Sequence, residues 1–297
     1  CGHQISLQRA KDIQAVIGPH RKAGGDVVLG TFTVAHDQFT VSHNQRDRLA
    51  PMLKTISKAF HLTTSGRAWK KVQDVVGARI VVVGWVRSAE ITVGEYGWHP
   101  HFHALFFIDR ILTEDEIEAL EQFFYERWSD AIEAAGYRRP SREHGVVVSH
   151  GESAGSYVAL LSKQNLALET VSSGTKQGRK NNRSTLQLQY DWMVHRRDLD
   201  KELIKEYQLA THRMNQLTWS RGKNDLRKKY QIAEQLDFDL VQDPTENIGQ
   251  LVVRMHSSEW LYLMRMEKSL LWELPRSTEK LSPPAAQALI NILCGGF

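Results

Sequence analysis

The sequence predicts an α+β protein, a mainly antiparallel sheet with helices packed on it, followed by a smaller all-α C-terminal region. Three observations carry this expectation. Two β-rich runs, residues 80–91 and 97–107, are joined by a glycine-containing connection. Helical stripes of apolar residues occur on either side of them, and beyond Asp198 the helical pattern predominates. Runs of strands and helices in that mixture are how one sheet layer covered by helices is written in sequence.

Val27–Ala35 is a β-branched run after the turn-like Gly24-Gly25-Asp26, and reads as the first strand. From Arg46 to Phe60, Leu49, Met52, Leu53, Ile56 and Phe60 recur at helical spacing, with Pro51 near the first turn. Residues 80–91 and 97–107 form the central pair, and residues 92–97 carry two glycines, the mark of an antiparallel hairpin with a longer loop. Thr113 and Glu116 make a capping box. The helix it opens carries Ile117, Leu120, Phe123, Phe124, Trp128 and Ile132 on one stripe and stops at Gly136. Gly145–Ser149 is a short strand, Gly151–Lys163 a helix and Leu166–Val171 a further strand. The helices are expected on one face of the sheet. After Asp198, helices are expected over 198–214, 222–236, 257–274 and 282–293, which divides the chain into a domain over 1–197 and a helical region over 198–297.

Composition narrows the class. With 297 residues, of which 41% are hydrophobic, the chain is long enough to bury a large core. No apolar run reaches membrane-spanning length and the first ten residues lack a signal-peptide core, so the expected location is cytoplasmic with no membrane partner. Two cysteines, Cys1 and Cys294, make no disulfide framework and fit a reducing compartment. A start at Cys1 without methionine suggests a fragment. Net charge is only +4, but from Lys163 to Lys229 fifteen Lys or Arg stand against seven Asp or Glu. Such a local excess suits a phosphate backbone, and Lys176, Arg179, Lys180 and Arg183 are its densest part. A solvated surface loop reads equally well from that segment alone.

The chemistry concentrates in Gly97-Trp98-His99-Pro100-His101-Phe102-His103-Ala104-Leu105-Phe106-Phe107. Residues two apart on a strand share a face, so His101 and His103 present two imidazoles side by side while Phe102 points into a core. Glu90, near the end of the preceding strand, is the natural third ligand, because pairing of the two runs brings it opposite the histidines. Two imidazoles and a carboxylate suit Mg²⁺, Mn²⁺ or Zn²⁺ and leave positions open for substrate. His99 shares that face and reads as a residue that orients a ligand or contacts DNA. Trp98 reads either as a stacking platform for a base or as core. In Gly151–Lys163, Tyr157 sits among small residues that permit close approach of a bulky substrate; a nucleophile and a core tyrosine are both open from the pattern alone.

These motifs resemble those of the HUH endonuclease superfamily, and in particular of plasmid rolling-circle replication initiators. Gly-Trp-His-Pro-His-Phe-His (97–103) resembles their metal motif, residues 29–36 their first-strand motif, residues 88–94 the strand of the third ligand and residues 154–159 their nucleophile motif. Residues 165–170, 175–179 and 219–222 also look like segments downstream of the tyrosine, so the likeness runs from about Asp26 to Gly222. It implies an HUH/RRM-like sheet, with Mn²⁺ or Mg²⁺ held by His101, His103 and Glu90. It further implies single-stranded origin DNA as substrate, Tyr157 as the nucleophile that forms a 5′-phosphotyrosine link and frees a 3′-hydroxyl primer, and a host helicase and polymerase as partners.

The chain departs from the family at several positions. The lysine that usually follows the tyrosine by three residues is replaced by Leu160, and Lys163 is the nearest alternative. The glutamate that some relatives place four residues before the tyrosine is Ser153, with Glu152 one position out. Cys1-Gly2-His3 resembles a remnant of an N-terminal zinc segment. No second tyrosine follows at helical spacing. The alternatives are a single-tyrosine transposase or relaxase of the same superfamily, a catalytically silent origin DNA-binding protein, and an unrelated metal hydrolase.

Overall fold

A computed structural model describes residues 2–35, 49–70, 80–150, 182–215, 217–233 and 282–293. Helix α1 (Gly2–Lys22) leads into strand β1 (Asp26–Thr33), and helices α2 (Leu49–Thr63) and α3 (Gly66–Lys70) follow. Strands β2 (Val82–Gly94) and β3 (Gly97–Ile108) form the central hairpin. Next come α4 (Glu114–Ala134), the short α5 (Arg142–Gly145) and β4 (Val146–Ser149). Beyond residue 181 the elements are β5 (Arg183–Ser184), α6 (Thr185–His195), α7 (Asp198–Thr211), β6 (Leu217–Trp219), α8 (Leu226–Lys229) and α9 (Pro283–Leu293).

The sheet is antiparallel in the order β4-β1-β3-β2, with both β5 and β6 paired to the outer edge of β2. The β2–β3 connection is tighter than the glycines suggested. Thr92, Val93 and Gly94 stay in register with His99, Trp98 and Gly97, so the loop is only Glu95-Tyr96. Gly97 takes φ +89°, a conformation that a side chain would strain.

One sheet face carries the main core. Phe32, Phe102, Phe106, Ile91 and Val148 meet the apolar stripes of α2 and α4, and Trp128 is fully buried there. The expected α4 stripe is buried except for the half-buried Phe123, and the Thr113–Glu116 capping box is closed in both directions. Trp98 belongs to this core, 3% exposed and stacked on Tyr207 of α7 at 6.3 Å. Its place is packing.

The other face is covered too, where helices were expected on one face alone. Ile13, Val16 and Ile17 of α1 pack with Leu217, Trp219 and Leu226 over Val27, Val86, Leu105 and Phe107. Two further differences lie beyond Asp198. Leu217–Trp219 is a strand, and of the helix expected over 222–236 the described residues, which end at 233, form a turn at 222–224 and the four residues of α8. Leu203, Ile204 and Tyr207 of α7 pack on the main core, so this segment shares the interior of the sheet layer. The expected elements at 151–163, 166–171 and 257–274, and both cysteines, lie outside the described residues. Among the described residues no helix is long and apolar enough to cross a membrane.

Candidate metal centre

The site follows from strand alternation and from where the apolar cover ends. Phe107, Leu105, His103, His101 and His99 share one face of β3, directly opposite Gly84, Val86, Ser88, Glu90 and Thr92 of β2 in the same order. The α1 cover reaches Leu105 and Val86. The next rungs of that face, His103 with the buried Ser88 and His101 with Glu90, are polar, and His101, His103 and Glu90 are partly open to solvent.

Glu90 and His101 are directly paired, and His103 lies one same-face position away. His101 Nε2 stands 2.9 Å and His103 Nε2 2.8 Å from the same Glu90 oxygen, Oε2. The three side chains can bring one ligand atom each within 4.8 Å of one another. Their side chains are 14%, 17% and 28% exposed for His101, His103 and Glu90, sheltered but reachable. Burial alone pushes the Glu90 carboxyl up, but the hydrogen bonds and charge of the two imidazoles override it and hold the group well below the usual carboxylate range. The carboxylate is therefore ionised, as a ligand must be.

The donor set fits a divalent cation. Two imidazole nitrogens and one carboxylate oxygen already converge, and the far side of each ring matters next. His103 Nδ1 lies 3.1 Å from the Thr31 hydroxyl on β1, the strand on the other side of β3. A hydroxyl both donates and accepts, so Thr31 can serve either tautomer of His103, including the one whose Nε2 lone pair is free for a metal. His101 Nδ1 is buried without a hydrogen-bond partner among the described residues, so this ring is oriented by its Nε2 contact with Glu90 and by packing against its neighbours, His103 at 4.9 Å and His99 at 5.4 Å between ring centroids.

Of the residues singled out from sequence, the structure brings together Glu90, His101 and His103, with His99 beside them. Arg183 lies on β5, next to Val93, where its guanidinium is held by Asp200 at 2.8 Å and Asp191 at 3.1 Å. Two carboxylates already offset its charge. Tyr157, Glu152, Lys163, Lys176, Arg179 and Lys180 lie outside the described residues. Thr31 escaped the sequence reading. The signal was present in principle, since Thr31 falls in the strand that pairs with β3, but the pairing partner of β1 is set by a contact 72 residues away.

Fold and site together define an α+β protein with a His-His-Glu triad able to hold a metal ion. The chain is 32% identical over 121 aligned residues, 35% of its length, to the protein named "Protein rep" of Streptomyces lividans, of which the match covers 26%. It is 29% identical over 119 aligned residues to the "Neomycin resistance protein" of Streptomyces cyanogenus, covering 35% of this chain and 27% of that one. The match therefore spans about a quarter of the length of either relative. No family model matches the chain, and no solved structure does.

Proposed function

We propose that this chain is a replication initiator of the rolling-circle type, which nicks single-stranded origin DNA by transesterification. The observation that carries the reading is the convergence of His101, His103 and Glu90 on one open stretch of an antiparallel sheet. The distant likeness to a protein named for replication agrees with it.

A divalent cation, Mn²⁺ or Mg²⁺, held by the triad would polarise the scissile phosphate and offset charge that builds on its oxygens. Tyr157 Oη would attack phosphorus, forming the O–P bond as the bond to the 3′ oxygen breaks. The phenolic proton passes to solvent or a neighbouring base, and the leaving oxygen takes up a proton to become a 3′-hydroxyl. The phosphodiester energy stays in the 5′-phosphotyrosine link, so the strand can be rejoined later. Lys163 is the lysine proposed to stabilise the phenolate, and Glu152 the carboxylate that would activate water to close the cycle. Chain length is compatible with this. Strand β4 ends at Ser149, eight residues before Tyr157, and lies two strands from the histidines, since Val147 pairs with Thr31 and Thr31 with His103. Two strand spacings are roughly 10 Å, and eight residues span about 12 Å even when wound as a helix.

Lys176, Arg179, Lys180 and His99 are proposed to hold the strand. Arg183 joins them only by exchanging a carboxylate for a phosphate. A division into a nicking domain over 1–197 and a helical region over 198–297, cytoplasmic action, and use of the 3′-hydroxyl by a host polymerase with a helicase ahead of it belong to the same proposal.

The test uses single-stranded circles carrying the DNA that flanks the chain's own coding region, incubated with Mn²⁺ and run on a denaturing gel. A protein-linked DNA band is expected, lost with EDTA and with Tyr157→Phe. Binding of those circles without any such band would favour the silent DNA-binding protein.

A further inference from the structure

A cavity of about 380 Å³ opens immediately beside the metal centre, and nothing in the nicking chemistry uses most of it. One wall is the end of β1 and the residues after it, Thr33, Val34 and Ala35, together with His99. Thr33 pairs with His101, and the His99 and His101 rings are 5.4 Å apart, so cavity and triad are neighbours on one surface. The other wall is the segment between α4 and β4, Arg138–Gly145.

That second wall is held from behind. The Tyr125 hydroxyl donates to the Pro140 carbonyl at 3.1 Å, and Arg142 is fixed to Gln122 and Glu121, both at 2.8 Å. Beneath the first wall, the Trp128 indole N–H donates to the Thr33 carbonyl at 2.9 Å. The cavity is therefore shaped by α4 rather than by loose loops.

Its lining has two chemical characters. Val34 and Pro140 are apolar, while Arg138, Arg139, Ser141 and His144 supply donors; among the described residues no carboxylate lines it, and Glu143 Oε2 stands 3.9 Å from His144 Nδ1 outside the lining. Arg139 is drawn outward by Asp130 at 2.7 Å and Glu133 at 3.0 Å. Arg138 and His144 are exposed at the rim, and the Ser141 hydroxyl lies 3.3 Å from His144 Nδ1. An apolar floor with cationic and hydroxyl groups at its rim, in the size range of small-ligand pockets, matches a base joined to a phosphate.

We propose that this cavity takes one nucleotide of the single strand, next to the phosphate at the triad. The inference rests on the nicking reading and adds the residues that fix which stretch of strand lies over the metal. Arg138 and His144 contact the phosphate, and the base rests between Ala35 and the Arg138–Gly145 wall, above the buried Val34 and Pro140. Such a pocket positions the scissile bond and does no chemistry itself.

The test measures binding of a fluorescein-labelled twelve-residue oligothymidylate by anisotropy in Mn²⁺ at several salt concentrations. The full chain is compared with the Arg138→Gln/His144→Gln double variant and with Lys223→Gln, an exposed basic control near the Gly84 end of β2. The double variant should bind about tenfold more weakly, with the slope of log affinity against log salt smaller by about 1, while its Mn²⁺ affinity stays unchanged. Affinity within twofold of the full chain and an unchanged slope would overturn the pocket, as would an equal loss in Lys223→Gln, which marks a bulk charge effect. If the unaltered chain binds this probe and forms the tyrosine adduct, that result removes the pocket alone. If it binds Mn²⁺ but no single-stranded DNA, both readings fall.

Discussion

His20 Nδ1 lies 3.0 Å from the Tyr230 hydroxyl, a bond between residues 210 apart in sequence. The other ring nitrogen, Nε2, meets the carbonyls of Ile108 at 2.7 Å and Asp26 at 3.1 Å. Nε2 must therefore carry the proton, and Nδ1 accepts from the tyrosine. One neutral imidazole ties the end of α1, the start of β1, the end of β3 and the turn after α8 into a single knot under the second core.

That knot makes stability depend on pH. Burial depresses the His20 pKa below its ordinary value of 6.5, against the raising effect of the two carbonyls. The unfolded chain then binds a proton more readily than the folded one, so the contribution of His20 is complete above about pH 6.5 and is lost as pH falls through the folded value. Urea midpoints between pH 8 and pH 5.5 should fall with acid, and His20→Gln should flatten that slope while lowering stability by about 1–3 kcal/mol. An unchanged slope in the variant would rule His20 out as its source.

Thr31→Val tests the orienting role of the hydroxyl against His103. The substitution keeps shape and β-propensity, so the fold should survive, while Mn²⁺ affinity measured by calorimetry should drop about 10- to 100-fold. Glu90→Gln, which replaces a ligand itself, should abolish measurable binding.

Arg87 is a half-buried cation with no matching anion among the described residues. Its guanidinium lies 4.0 Å from the Phe102 ring and 4.6 Å from Phe60, its Nε and one terminal nitrogen are buried without hydrogen-bond partners, and burial pushes its pKa down to about 10. Among the described residues, the aromatic faces are what offsets the cost of partly dehydrating the charge. Arg87→Met should therefore be neutral or stabilising by about 1 kcal/mol in thermal unfolding; a loss above about 2 kcal/mol would show that the aromatic contacts outweigh the dehydration.

Asp200 is the opposite case, 1% exposed and fully engaged by Arg183 and Arg197, at 2.8 and 2.9 Å. Asp200→Asn keeps the shape but removes the charge, and should destabilise by about 2–3 kcal/mol in urea titration. The effect should shrink if Arg183 and Arg197 are replaced as well.

The hairpin was legible because its alternation is clean on both faces. Phe102, Ala104 and Phe106 alternate with His101, His103 and Leu105, and that pattern alone put Glu90 across from the histidines. Helices α2 and α4 were legible for the same reason at a different period. Helix α1 was not, since Ile13, Val16 and Ile17 are its buried apolar anchors in a largely polar segment containing Pro19; its place is set by the sheet it covers. β6 is three residues long, too short to leave a periodic trace. The pairing of Arg183 with Asp191 and Asp200 joins residues 8 and 17 positions apart, beyond any helical or strand repeat, so a charge that looked available in sequence proved to be engaged.

The tight Glu95-Tyr96 turn gives the triad a property of parity. Glu90 faces His101 because an unbroken ladder runs from that pair down to Gly94 and Gly97. One residue added to the β3 arm would rotate the rest of that strand by half a period, sending imidazoles into the phenylalanine core and Phe102 out to solvent, and one added to the β2 arm would turn Glu90 away from the histidines. Among descendants of this chain, point changes at the solvent-facing Glu95 and Tyr96 should accumulate, whereas a single codon gained or lost between Glu90 and His101 should be purged unless a second restores the count.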